Sequence, residues 1–199
     1  MVSRVDADRL LKVKGRVRGA VFETDADYIR DKYGSAGLEK LTRAMRDLKC
    51  EIAYDGISAM EWRSVGSRAL SLRVMKDVFN WTDDGIRAMG DAAPKYSFIV
   101  KLFMKFFVSP AVAFSHAPEY WTKHYDVGRL DAVKLCEEER YAIVRLHDFE
   151  SDPAYCRYLE GYFGRLFKYM FPRSRIVIEE AACMFEGGAV HEFRVHWDD

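Results

Sequence analysis

Three side chains able to hold a soft divalent metal stand in the last quarter of this 199-residue chain: Cys156, Cys183 and His191. Thiolate sulfur and imidazole nitrogen are common donors to tetrahedral zinc, so the three residues suggest a structural metal site. A fourth donor could come from Cys136 or from the neighbouring carboxylates Glu137 and Glu139. The four cysteines, at 50, 136, 156 and 183, are too scattered for the dense disulfide framework of a secreted domain. Free thiols or metal ligands are therefore expected. The plainer alternative makes Cys156 and Cys183 small buried hydrophobes and His191 an ordinary strand residue.

A second constellation is aromatic. Phe98, Phe103, Phe106, Phe114, Tyr120, Trp121, Tyr162 and Trp197 could line an apolar pocket between helices and sheet, the seat of an apolar or aromatic small molecule. The same residues could equally pack as a solid core. His116 and His124 lie nearby as candidate haem ligands or polar handles, with solvated or internally bonded imidazoles as the alternative. The chain carries no Gly-rich phosphate loop, no HExxH and no GxSxG, so binding is expected rather than turnover.

These residues need elements to position them. After Gly128 the hydrophobic pattern changes period. Leu130–Cys136 and Tyr141–His147 alternate as two strands joined by the acidic turn at 137–139. Asp152 caps a helix that starts at Pro153, carries Cys156, Leu159, Phe163, Leu166 and Met170 on one stripe, and ends before Pro172. Ile176–Phe185 and Ala189–Trp197 complete the sheet. Upstream, the spacing predicts a lead-in strand in 14–22, then helices from Thr24 to Gly34 and from Ser35 onward. Further helices are expected up to Phe79, over Asp83–Met89 and over Tyr96–Val108. One more should begin at Ser109-Pro110 and run toward Tyr125, bent at Pro118. The expected fold is one α+β domain over residues 1–199. Its helical N-terminal two-thirds packs on an antiparallel sheet of four strands, in the order strand–strand–helix–strand–strand.

The metal reading makes a geometric demand. With a two-residue Gly187-Gly188 turn, Cys183 would face Glu192 and His191 would point to the other side of the sheet. A three-residue loop, Glu186 to Gly188, puts Cys183 opposite His191, where paired side chains share a face. Gly161 and Gly164 lie off the Cys156 stripe and would let another backbone come close, from a second subunit or from within the chain.

The stretch CRYLEGYFG at Cys156–Gly164 and the stretch CMFEGGAVH at Cys183–His191 resemble the vinyl-4-reductase-type domain. That domain belongs to a superfamily that also holds haem-NO/oxygen-binding domains and TRAPP transport subunits. The segments YIRDKYGSAGLEKL at 28–41 and DVGRL at 126–130 look like an uncharacterised bacterial branch of it. The resemblance implies a small-molecule sensor or binding domain, or a dimeric scaffold, with a reductase acting on a vinyl-type group as a lower alternative. It also implies a structural zinc at positions matching Cys156 and Cys183, with histidine standing where relatives carry a last cysteine. The haem-binding branch is marked by a Tyr-x-Ser-x-Arg motif that this chain lacks, so haem is not expected.

Composition limits the remaining classes. Thirty-one basic residues balance 31 acidic ones, which argues against a nucleic-acid-coating protein. No apolar run reaches the ~18 residues of a membrane span, and Lys101 and Lys105 interrupt the nearest. The start of the chain lacks the apolar core of a secretory signal, so a cytoplasmic protein is expected.

Overall fold

The computed structural model describes residues 1–97, Val100 and 109–198. Its first part is helical. Helix α1 (Arg4–Leu10) opens on a capping box formed by Ser3 and Asp6. Strand β1 (Arg16–Arg18) pairs antiparallel with β2 (Trp62–Ser64), and between them runs α2 (Ala20–Asp47). Two separate helices were expected here. Gly34, at φ +68 and ψ −176, leaves the helical conformation between them, so the range holds two helices that meet at a kink where the spacing predicts. Each half buries one face: Phe22, Ala26 and Ile29 before the kink, Leu38, Leu41 and Met45 after it.

Ser64 caps α3 (Val65–Phe79), which stops at Asn80 in the left-handed conformation. Helix α4 (Asp83–Tyr96) continues past Gly90, where the spacing predicted its end. Gly90 is a packing position. A Cβ there would lie 2.0 Å from the carbonyl oxygen of Tyr158. Two short helices follow, α5 (Pro110–Ser115) and α6 (Ala117–His124), with the break at His116 just before Pro118.

The sheet has the expected composition. Strands β3 (Arg129–Cys136), β4 (Tyr141–His147), β5 (Arg175–Ala182) and β6 (His191–Asp198) form an antiparallel sheet in the order β3-β4-β6-β5. Helix α7 (Pro153–Met170) links β4 to β5, capped by Asp152 with proline in the first turn. Its apolar stripe covers the inner face of the sheet, with Phe163 edge-on to Phe193 at 5.2 Å. Leu159, Phe163 and Phe167 are each nearly fully buried, worth roughly 2 kcal/mol apiece in removed apolar area. On its other side α7 meets α4 glycine to glycine. A Cβ on Gly161 would lie 1.9 Å from the Arg87 carbonyl oxygen, and one on Gly164 would touch Ile178. Both glycines are thus used inside the chain.

One ion pair lies entirely within the helical core. Arg68 and Asp25 are both fully buried and join through two hydrogen bonds, at 3.0 and 3.1 Å. The guanidinium also donates to Tyr125 at 3.1 Å and lies over the Tyr155 and Tyr158 rings. Burial pulls the Arg68 pKa down, but Asp25 and the three tyrosines more than offset that, and it stays a cation.

Candidate metal centre and adjoining apolar chamber

The first turn of α7, the end of β5, the loop after it and the start of β6 converge on one point. Cys156, Glu180, Cys183 and His191 each bring a donor atom there, all four within 4.8 Å of one another. The two sulfurs are 3.9 Å apart, and Cys156 Sγ is 3.5 Å from His191 Nδ1. Zinc–sulfur bonds of about 2.3 Å and zinc–nitrogen bonds of about 2.0 Å give tetrahedral edges of about 3.8 Å and 3.5 Å. The sulfur–sulfur and sulfur–nitrogen spacings match those edges. Glu180 Oε1 to His191 Nδ1, at 2.8 Å, is tighter.

The imidazole shows why a cation suits this gap. His191 Nε2 lies 3.2 Å from the Phe149 carbonyl oxygen, which can only accept, so Nε2 carries the proton. Nδ1 faces a carboxylate oxygen and a sulfur, so the hydrogen it shares with Glu180 occupies the place that a metal ion would take. A ring N–H donated to a carbonyl is also the usual support for a histidine metal ligand. Burial would raise the Glu180 carboxyl, but hydrogen bonds from His191 and both thiols hold it below the ordinary range. Burial first, and Glu180 with it, pushes both thiols up.

A support network surrounds the four. Arg157 pairs with both Glu180 and Glu160, and Glu160 accepts the Glu180 backbone N–H at 3.0 Å. Arg87 reaches the other oxygen of Glu160 at 2.8 Å.

The loop solves the register problem by a route the sequence did not show. The predicted tight Gly-Gly hairpin is absent. Strand β5 ends at Ala182, and a single 3₁₀ turn over Met184–Glu186 leads to Gly187 at φ +87. The Cys183 carbonyl accepts from Glu186 and Gly188, and a Cβ on Gly188 would lie 2.8 Å from it. A bulge between Glu180 and Ala182 then shifts the ladder so that Ala182 pairs with Glu192, leaving Cys183 in step with His191.

Cys136 takes no part in the cluster. It pairs with Tyr141 at the far end of the opposite edge strand, whereas His191 neighbours Leu146. Glu137 and Glu139 sit in that same distant turn. The fourth donor is Glu180, which sequence reasoning missed. Its signal was present: Ile176, Ile178 and Glu180 share one face of β5, so a carboxylate stands at a core-facing position.

Beside this cluster lies a chamber of about 150 Å³ between α5, α6, α7 and the sheet. Phe114, Tyr120, Trp121 and Tyr162 line it, together with Tyr158, Phe163 and Phe167. Trp197 does not line it. It is buried against Phe171, stacked at 4.2 Å. Phe98, Phe103 and Phe106 lie outside the described residues. His124 lines the chamber, and its Nδ1 donates to the Tyr120 carbonyl at 3.0 Å, leaving Nε2 as an acceptor. Burial pushes its pKa below the ordinary value, so the ring is neutral. His116 is exposed and bonded to the Val112 carbonyl.

No family model and no curated protein matches the chain. Solved structures do. An H-NOX protein from S. oneidensis in the Fe(II)NO ligation state is 12% identical, with a TM-score of 0.69 over 92% of this chain and 99% of that one. An oxygen-binding H-NOX domain related to soluble guanylate cyclases is 14% identical, at 0.65 over 92% and 95%. A structure probing haem distortion in the H-NOX family is 15% identical, at 0.64 over 92% and 95%. Identities this low establish a shared fold. The three are described by the ligand or cofactor they hold, not by a reaction they turn over.

This corrects the expectation about haem. Its exclusion rested on one absent motif, and the fold itself is that of H-NOX proteins, including one studied for haem distortion. The donor chemistry suits haem: His124 offers a neutral imidazole whose Nδ1 is bonded to the Tyr120 carbonyl, leaving Nε2 as the acceptor. The described residues enclose about 150 Å³ beside it, a space that takes benzene.

Proposed function

We propose that the chain is a sensor domain of the vinyl-4-reductase-type branch, acting by binding rather than turnover. In this reading Cys156, Glu180, Cys183 and His191 hold a structural zinc, and the chamber holds a benzene-sized apolar guest. The observation that carries the ligand reading is the chamber wall, almost wholly apolar with one neutral imidazole. That imidazole accepts a hydrogen bond, so the favoured guest carries a single donor group on an otherwise apolar body. The domain works as one unit over residues 1–199, in the cytoplasm.

Two measurements test this. Metal analysis of protein made without a histidine tag should give one zinc per chain, lost in Cys183→Ser and in His191→Ala. A thermal-shift series should show stabilisation by small aromatic molecules bearing one hydroxyl or N–H, reduced in His124→Leu. Zinc-free protein overturns the metal assignment. The lack of a shift with any such molecule overturns the chamber assignment, and a Soret band that depends on His124 after haemin addition replaces it with a haem site.

A further inference from the structure

Away from both sites, three rings converge on one ammonium at the surface. Tyr28 and Lys32 lie one turn apart on α2, and Tyr33 follows directly before the kink at Gly34. Trp81 comes from the connector between α3 and α4. Lys32 Nζ is 5.1 Å from the Trp81 ring centroid, 5.5 Å from that of Tyr28 and 5.7 Å from that of Tyr33. Each distance lies within the reach of a cation–π contact.

The box is fixed in place. Trp81 Nε1 donates to the Tyr33 hydroxyl at 2.7 Å, and Tyr33 stacks on Phe79 at 4.3 Å and 9°. Tyr28 meets Trp81 edge-on at 5.9 Å. Gly85 makes room for the indole: a Cβ there would lie 2.7 Å from Trp81. Tyr33 and Lys32 are exposed, so the box opens to solvent.

Lys32 is only loosely held in this setting. An ammonium has three N–H groups to satisfy and is strongly hydrated. Here it donates one weak bond, to the Tyr28 hydroxyl at 3.4 Å, and pairs with no carboxylate among the described residues. Ring faces reward a cation that has no N–H at all. We propose that Tyr28, Tyr33 and Trp81 form a binding site for the quaternary-ammonium group of a small soluble molecule, with Lys32 as the internal occupant that such a ligand displaces.

The experiment titrates the 199-residue protein with tetramethylammonium and with choline by isothermal calorimetry, and in the proteins that keep the indole also follows the Trp81 N–H resonance, assigned by Trp81→Phe. The neutral isostere 3,3-dimethylbutan-1-ol serves as control. Lys32→Ala is expected to tighten choline binding about fivefold or more by removing the competitor. Trp81→Leu should abolish binding, and Trp81→Phe, which keeps a ring and the fold, should weaken it. Equal binding of choline and its neutral isostere overturns the proposal, as does the lack of any response in Lys32→Ala. A response confined to phosphatidylcholine vesicles, or to a peptide bearing trimethyllysine, overturns the assignment to a small soluble ligand.

Discussion

The Phe149 carbonyl oxygen lies 3.2 Å from His191 Nε2, while the ring of the same phenylalanine stands edge-on to Trp121, at 5.3 Å, on the chamber wall. One residue therefore touches both a donor of the cluster and a ring of the chamber wall. Helix α7 makes a second link, with Cys156 in its first turn and Tyr158, Phe163 and Phe167 along the chamber. A guest that moves the Trp121 wall acts on the support of a proposed metal ligand. Linkage then requires that guest and metal change each other's affinity by one common factor. We expect zinc affinity measured with and without a chamber ligand to differ, and Phe149→Leu, which keeps the carbonyl but trims the ring contact, to bring the ratio toward one. Identical ratios in both proteins would remove Phe149 from the path.

Zinc binding should depend steeply on pH. Burial holds both thiols above their ordinary range in the metal-free protein, so at neutral pH each zinc displaces two protons. Affinity should rise with pH by about a hundredfold per unit, tenfold for each proton released. Competition with a chelator at pH 6, 7 and 8 measures the slope, and a value near zero would rule out ligation by the two cysteines.

The contact between α4 and α7 should be intolerant of single methyl groups. Gly90→Ala and Gly161→Ala place a Cβ about 2 Å from a backbone carbonyl oxygen that cannot swing away. Each should cost about 3 kcal/mol, the upper part of the usual overpacking range. Urea unfolding of the two variants measures this; a loss below 1 kcal/mol would mean that the helices part easily.

Much of this was readable in the chain. Strand β4 has the boundaries that its alternation predicted, and α7 starts at the predicted Asp152 cap and Pro153. The glycines behave differently. Gly34 breaks the helix as local propensity predicts, whereas at Gly90 close contact with a neighbouring helix overrides that preference. Cys156, Cys183 and His191 were identifiable from residue type and spacing. Glu180 was overlooked because a carboxylate in a strand ordinarily faces water, and because a bulge leaves no simple mark in the alternation.

The buried pair at Arg68 and Asp25 gives a separate test. Asp25→Asn leaves a guanidinium without its counter-charge in the core and should cost about 3–5 kcal/mol. Arg68→Lys cannot reproduce the two-bond fork and should also destabilise. Replacing both partners, with Asp25→Leu and Arg68→Met, should recover most of the loss. A double variant as weak as Asp25→Asn would show that the tyrosine contacts of Arg68 matter more than its charge.

The bulge at Ala181 is in effect a phase change. Before it, Ile176, Ile178 and Glu180 point inward on even numbers; after it, Cys183 points inward on an odd one. The four donors are thus encoded by a count of residues as much as by their identity. Deleting Ala181 would leave all four in the sequence and yet turn one of the neighbours in β5 away from the others, an error in spacing that no substitution at the four positions could repair.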